Sequence, residues 1–207
     1  MYMPSRNIDR VDIEKSYYHI YSHGVGRQPI FKCDEDFDFF LSLFERHLSI
    51  NQASDKLGRK YKHLRGQIEL LSYCLITNYF HLLVYQENKG AIARLMHAIM
   101  TSYSIYFNKK YKRSGPLFES RYRAVILTSD LELRLVSRYI HLVPGNWQAY
   151  PYSSIHAYFG IGLSDWLQPN RLIDLFGSTP VYADYLDDAE DYSLSIKDLK
   201  AKLANKK

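Results

Sequence analysis

Between residues 17 and 142 the hydrophobic pattern switches repeatedly between strand and helix periods, and the order of the switches leaves few folds open. Tyr17, Tyr18, Ile20 and Tyr21, with His19 and His23 among them, form a run of strand formers that Gly24 and Gly26 close. Over residues 34–51 the apolar positions Phe37, Phe40, Leu41, Phe44 and Leu48 recur at spacings of three and four, which predicts a helix, and the acidic start at Asp34 suits its N-terminus. Residues 68–76 and 79–86 are two further strand-like runs parted only by Thr77 and Asn78, so they form a tight hairpin. Gly90 precedes a second amphipathic stretch through Ile92, Leu95, Met96, Ile99, Tyr103 and Phe107 that ends near Lys110. After the break at Gly115 and Pro116, residues 122–127 read as a fourth strand. Asp130 then opens a third helix that Pro144 and Gly145 stop.

Strand, helix, strand, strand, helix, strand is the order of a ferredoxin-like unit. The expected fold class is therefore α+β, an antiparallel sheet with helices on one face, plus a C-terminal extension. With 207 residues the chain divides into an arm over 1–14, a ferredoxin-fold domain over 15–160 and an extension over 161–207. A composition of 46% hydrophobic and 24% charged residues excludes collagen-like and wholly disordered chains. Cys33 and Cys74 lack the paired spacing of a zinc ribbon or a disulfide scaffold. Nowhere do 18 apolar residues run together, so the expectation is a soluble, cytoplasmic protein that meets no membrane.

The charge is positive, with 27 Lys and Arg against 22 Asp and Glu and a pI near 9.0, which points to a polyanionic partner. The cations concentrate in one segment. Lys109, Lys110, Lys112, Arg113, Arg121 and Arg123 are interleaved with Tyr111, Phe118 and Tyr122 around Gly115. Cations with rings suit a groove that tracks a nucleic-acid backbone and stacks its bases, and a solvated helix end is the plainer account of the lysines. Arg27, in the loop after the first strand, is a further candidate for a phosphate.

Five blocks give these elements a family resemblance: YHIYSHGVGRQPIF at 18–31, SYCLITNYFHLLV at 72–84, SGPLFESRYR at 114–123, RYIHLVP at 138–144 and YPYSSIHAYFG at 150–160. In order and spacing they resemble the single-tyrosine HUH transposases, and within them the REP-associated tyrosine transposases. The resemblance implies two histidines, separated by one apolar residue on a central strand, that hold a divalent cation, Mg or Mn, opposite a helix-borne tyrosine. Residues i and i+2 of a strand share a face, so such ligands stand side by side. The tyrosine oxygen would attack a phosphate polarised by the cation and leave a 5′ phosphotyrosine link to single-stranded DNA.

Mapped onto this chain, the resemblance puts the nucleophile at Tyr139 and the second histidine at His81, with Phe80 as the spacer. Tyr79 stands where the first histidine belongs. Val143, one helical turn beyond Tyr139, replaces the usual amide ligand. A neutral phenol is a poor ligand beside imidazole, and valine is none. His19, His23 and His141 are the histidines that could move in. Read from its residues alone, Tyr139 lies on an apolar face with Leu135 and Val136, and would serve as a core tyrosine. The expected function is a single-stranded DNA transposase acting at repeat hairpins with a degenerate metal site. The alternatives are an inactive, transposase-derived DNA-binding protein that needs no metal, and an RNA-binding module, whose exposed RNP1 aromatics are not found. The implied partner is DNA, single-stranded or in hairpins, and family members occur both as monomers and as homodimers.

Overall fold

The computed structural model describes residues 12–188. The expected arm over 1–14 and the end of the acidic run of residues 184–191 lie largely outside them. Four strands, β1 (Ser16–His23), β2 (Ile68–Ile76), β3 (Tyr79–Gln86) and β4 (Arg123–Leu127), pair antiparallel in the order β2-β3-β1-β4. That order is the ferredoxin-like one, with β1 and β3 in the middle. The register sets Tyr21 opposite His81 and His23 opposite Tyr79. On one face of β1 lie Tyr17, His19, Tyr21 and His23, and on the other Tyr18 and Ile20, as the two-residue period demands.

Helices α1 (Asp34–Leu48) and α2 (Ala91–Lys110) close over one face, where Ile20, Phe80 and Leu82 meet Phe40, Phe44, Leu95, Ile99 and Tyr103. The expectation of helices on one face holds for this pair. The other face is covered too, by α3 (Asp130–Leu142), whose Leu133, Val136 and Ile140 pack on Leu71 and Leu83. The short α4 (Ile155–Tyr158), then α5 (Asn170–Phe176) and α6 (Thr179–Asp187), complete that second core through Tyr158, Leu172, Phe176 and Tyr182. Strand β3 shows the consequence, being buried from Phe80 to Gln86 without alternation, as strands covered on both faces are. A sheet covered on both faces leaves no open platform for RNA stacking of the kind the RNA-binding alternative needs.

The chain beyond α3 also protects the free edge of β2. The Leu75 N–H donates to the Tyr152 carbonyl at 2.9 Å, the Ser154 N–H to that of Tyr73 at 3.0 Å, and the Gln168 N–H to that of Leu70 at 2.8 Å. An unpaired edge strand is a template for aggregation, so this segment is part of the fold. Helix α6 has no counterpart in the sequence-based expectation, although Ser178 and Pro180 mark a helix start.

Candidate active site and nucleic-acid edge

The loop from Gly24 to Phe31 is held against the β2–β3 turn. The Ile30 and Phe31 N–H groups donate to the Thr77 carbonyl at 2.8 and 2.9 Å, and the Gly24 N–H donates to that of Asn78 at 2.9 Å. A Cβ at Gly24 would lie 2.2 Å from the Gln28 carbonyl oxygen and 2.8 Å from Ile30, so only glycine allows this approach. Gly24→Ala should therefore cost about 1–3 kcal/mol, as overpacking does, and urea unfolding would read it directly. The turn Val25–Arg27 is a single 3-10 turn in which Arg27 sits in the left-handed region, φ 61°. Its N–H donates to the Gly24 carbonyl and its carbonyl accepts from the Asn78 side chain, which hold that conformation.

Helix α3 starts at a side-chain cap that Glu132 reinforces one residue upstream. Ser129 Oγ accepts from the Glu132 N–H at 3.2 Å, and Glu132 accepts from the Thr128 N–H at 2.8 Å. This fixed start brings Tyr139, half-buried, to the sheet face carrying His81. The Tyr139 hydroxyl lies 3.3 Å from His81 Nε2, and His81 Nδ1 lies 2.9 Å from His19 Nε2. Three residues from three elements thus form one hydrogen-bonded row in which both nitrogens of His81 are engaged. His19 and His81 are 1% and 5% exposed. Burial lowers the His19 pKa to about 3. Burial, reinforced by the neighbouring His19 and His23, holds His81 well below the usual imidazole range. Both rings are neutral at pH 7, and the hydrogen between them belongs to one or the other.

The expected ligand positions lie around this row. Tyr79 faces the same way as His81, its ring 5.3 Å from the imidazole, and burial raises its phenol pKa further from ionisation. Val143 caps α3, its N–H donating to the Tyr139 carbonyl at 3.1 Å, which confirms the one-turn relation but offers no side-chain donor. Of the histidines that could move in, His19 has done so, as a partner of His81. His23 packs on Tyr79 at 5.4 Å. His141 is buried behind α3, between the Tyr182 hydroxyl at 2.6 Å and Ser154 Oγ at 2.8 Å, where it ties the helix to the C-terminal segment. Among the described residues no three His, Cys, Asp or Glu side chains gather as a metal would need. Mg and Mn favour oxygen ligands, and here the candidates are two imidazoles bonded to each other, a protonated phenol and a valine. The residues present do not fit a divalent cation.

The cations expected to meet nucleic acid divide. Lys109, Lys112, Arg121, Arg123 and Arg27 are exposed. Arg113 is half-buried and pins its own turn, donating to the Pro116 carbonyl at 3.2 Å. Lys110 must be taken off the list of free cations, because it donates to Asp36 at 2.8 Å and Glu35 at 2.9 Å. Asp36 is buried on α1, and a carboxylate there needs a cation, which α2 supplies. The segment that leads through Arg121 into β4 at Arg123 runs beside the end of β1, where the Glu119 N–H donates to the His23 carbonyl and the Val25 N–H to that of Leu117. Arg27 and Arg123 consequently line one cleft with Tyr21, Ser22 and His23.

Residues 44–142, which include His81 and Tyr139, match the model of the IS200-like transposases. Over that stretch the chain is similar to the IS200-like transposases. A solved structure of a REP-associated tyrosine transposase bound to a REP hairpin shares the fold of this chain, with a TM-score of 0.54 and 11% identity over 79% of this chain and 92% of that one. No curated protein matches. Two features of this domain escaped the sequence. The His19–His81 bond depends on β1 and β3 being neighbours, and only the alternation of His19, Tyr21 and His23 hinted at a shared face. Ser22 and Glu119 lie inside the blocks at 18–31 and 114–123, and only the packing of those two segments brings them to one cleft. Among the described residues no helix is long and apolar enough to cross a membrane.

Proposed function

We propose that this chain binds single-stranded or hairpin DNA along its basic edge and does not cut it with a bound divalent cation. The observation that carries the reading is His81. Both of its nitrogens are occupied within the protein, by His19 and Tyr139, and no further ligand stands beside it among the described residues. A buried neutral imidazole held below its usual range is also a weak acceptor for a proton from a phenol, whose ordinary pKa is about 10, so the row positions Tyr139 as a hydroxyl. The DNA half of the reading is supported by the similarity to the IS200-like transposases, by the exposed cations, two of which, Arg27 and Arg123, share one cleft, and by the hairpin held in the related solved structure.

Binding should favour DNA hairpins with single-stranded flanks over plain duplex at moderate salt, and EDTA should leave the affinity unchanged. Fluorescence anisotropy with matched hairpin, single-strand, duplex and RNA oligonucleotides measures this. Equal affinity for all of them, or binding that EDTA abolishes, would sink the proposal. Lys109→Gln with Lys112→Gln should flatten the plot of log affinity against log salt by about 0.7 for each phosphate of a single strand that is no longer neutralised.

A further inference from the structure

The cleft at the end of β1 is small and built. Its volume is about 80 Å³, against roughly 300–1,000 Å³ for pockets that take drug-sized ligands. A space of that size suits one small tetrahedral group. Two guanidinium groups, of Arg27 and Arg123, line it with the imidazole of His23 and one carboxylate, of Glu119. The two guanidinium groups set against the one carboxylate leave the lining a surplus of positive charge.

Arg27 adds an independent sign. A residue with a Cβ is held in the left-handed region at the rim, where glycine would be at ease, and such outliers concentrate at ligand sites.

From this combination we propose that the cleft is a subsite for one phosphate group of a nucleic-acid strand. The two guanidinium groups bind its oxygens. Tyr21 links the subsite to the tyrosine row, since it lines the cleft while its ring packs 5.2 Å from that of His19 and 5.7 Å from that of His81. A strand anchored by this phosphate passes beside Tyr139. The proposal rests on the DNA-binding reading for its occupant, while the anion chemistry of the cleft stands apart from it.

The test uses inorganic phosphate as the probe, with acetate at equal ionic strength as the control, followed by thermal denaturation and calorimetry. Phosphate should raise the Tm of the wild-type chain and acetate should not. Arg123→Gln should weaken phosphate at least tenfold, and so should Arg27→Gly, a change that suits the left-handed backbone and removes only the side chain. Glu119→Gln should strengthen it. A 5′-phosphorylated strand that binds tighter than its 5′-hydroxyl counterpart would assign a terminal phosphate, and equal binding that still falls in Arg123→Gln would assign an internal one. No phosphate-specific Tm shift, or variants that bind phosphate as wild type does, would overturn the subsite. If wild type binds phosphate but no oligonucleotide, the DNA reading fails and the anion site alone remains.

Discussion

Mixed with a hairpin-bearing single strand and Mn, the wild-type chain should form no covalent protein–DNA adduct, whereas Tyr79→His combined with Val143→Asn should form one. The two substitutions return an imidazole at position 79 and an amide one turn beyond Tyr139, the ligand types that the family resemblance implies. Both positions accept them. Residue 79 begins β3 half-buried and already carries a ring, and residue 143 is the half-buried C-cap of α3, whose right-handed helical backbone asparagine adopts without strain. Outer-sphere changes alone move metal affinity by about 10- to 100-fold, so restoring two inner ligands should raise Mn affinity by at least about 100-fold. Calorimetry reads the metal affinity, and a denaturing gel reads the adduct.

Tyr139→Phe in the restored background should abolish the adduct, because the hydroxyl 3.3 Å from His81 is the only phenol in the row. An adduct in wild type that vanishes in Tyr139→Phe would show that the His19–His81–Tyr139 row cuts DNA as it stands. A restored variant that binds Mn and still forms no adduct would mean that the His19–His81 bond, and not the missing ligands, keeps the site inert. His19→Leu in that background separates the two, since it frees His81 Nδ1 without touching the metal positions.

Much of this arrangement is legible in the sequence because its signals are local. Bounds at 68–76 and 79–86 follow from two apolar runs around a two-residue turn, and Gly90, Gly145 and the acidic helix starts mark the helix ends. The position of Tyr139 against His81 follows from the family blocks, and the geometry places the two in contact. What stays hidden is set by pairing across the sheet. His19 and His81 are 62 residues apart, and only the β1–β3 register brings them together. Lys110 looks like every other lysine of its cluster until α1 and α2 pack and Asp36 is buried beneath it. The second helical layer is hidden for a related reason: α5 and α6 are short, and their few apolar residues make sense only against α3.

Asp36→Ala should be the most destabilising single change outside the apolar core. Asp36 is fully buried, and its oxygens accept from the Lys32 N–H at 2.9 Å, the Tyr111 hydroxyl at 2.7 Å, the Tyr106 hydroxyl at 3.0 Å and Lys110 Nζ at 2.8 Å. Removing the carboxylate strips a partner from each donor at once. Breaking a buried pair costs about 3–5 kcal/mol, and the lower end applies because Lys110 keeps Glu35 and reaches water. At about 3 kcal/mol the Tm should fall by roughly 6–12 °C for a chain of this size. The pH dependence carries a sign. Burial alone would raise the Asp36 pKa, but Lys110, the Lys32 N–H, Tyr111 and Tyr106 outweigh it and hold the carboxyl below its ordinary value of 3.8. A depressed folded pKa contributes stability that is complete above the unfolded value, about 3.9, and is lost as the pH falls through the folded value. Wild type should therefore lose stability below about pH 4 more steeply than Asp36→Ala, with the two converging in acid. The same pair separates architecture from recognition, since Lys110→Gln should lower the Tm yet leave the salt slope of DNA binding unchanged, the reverse of Lys109→Gln. A Lys110→Gln variant with a flattened slope would return Lys110 to the DNA edge and leave Asp36 without its assigned partner.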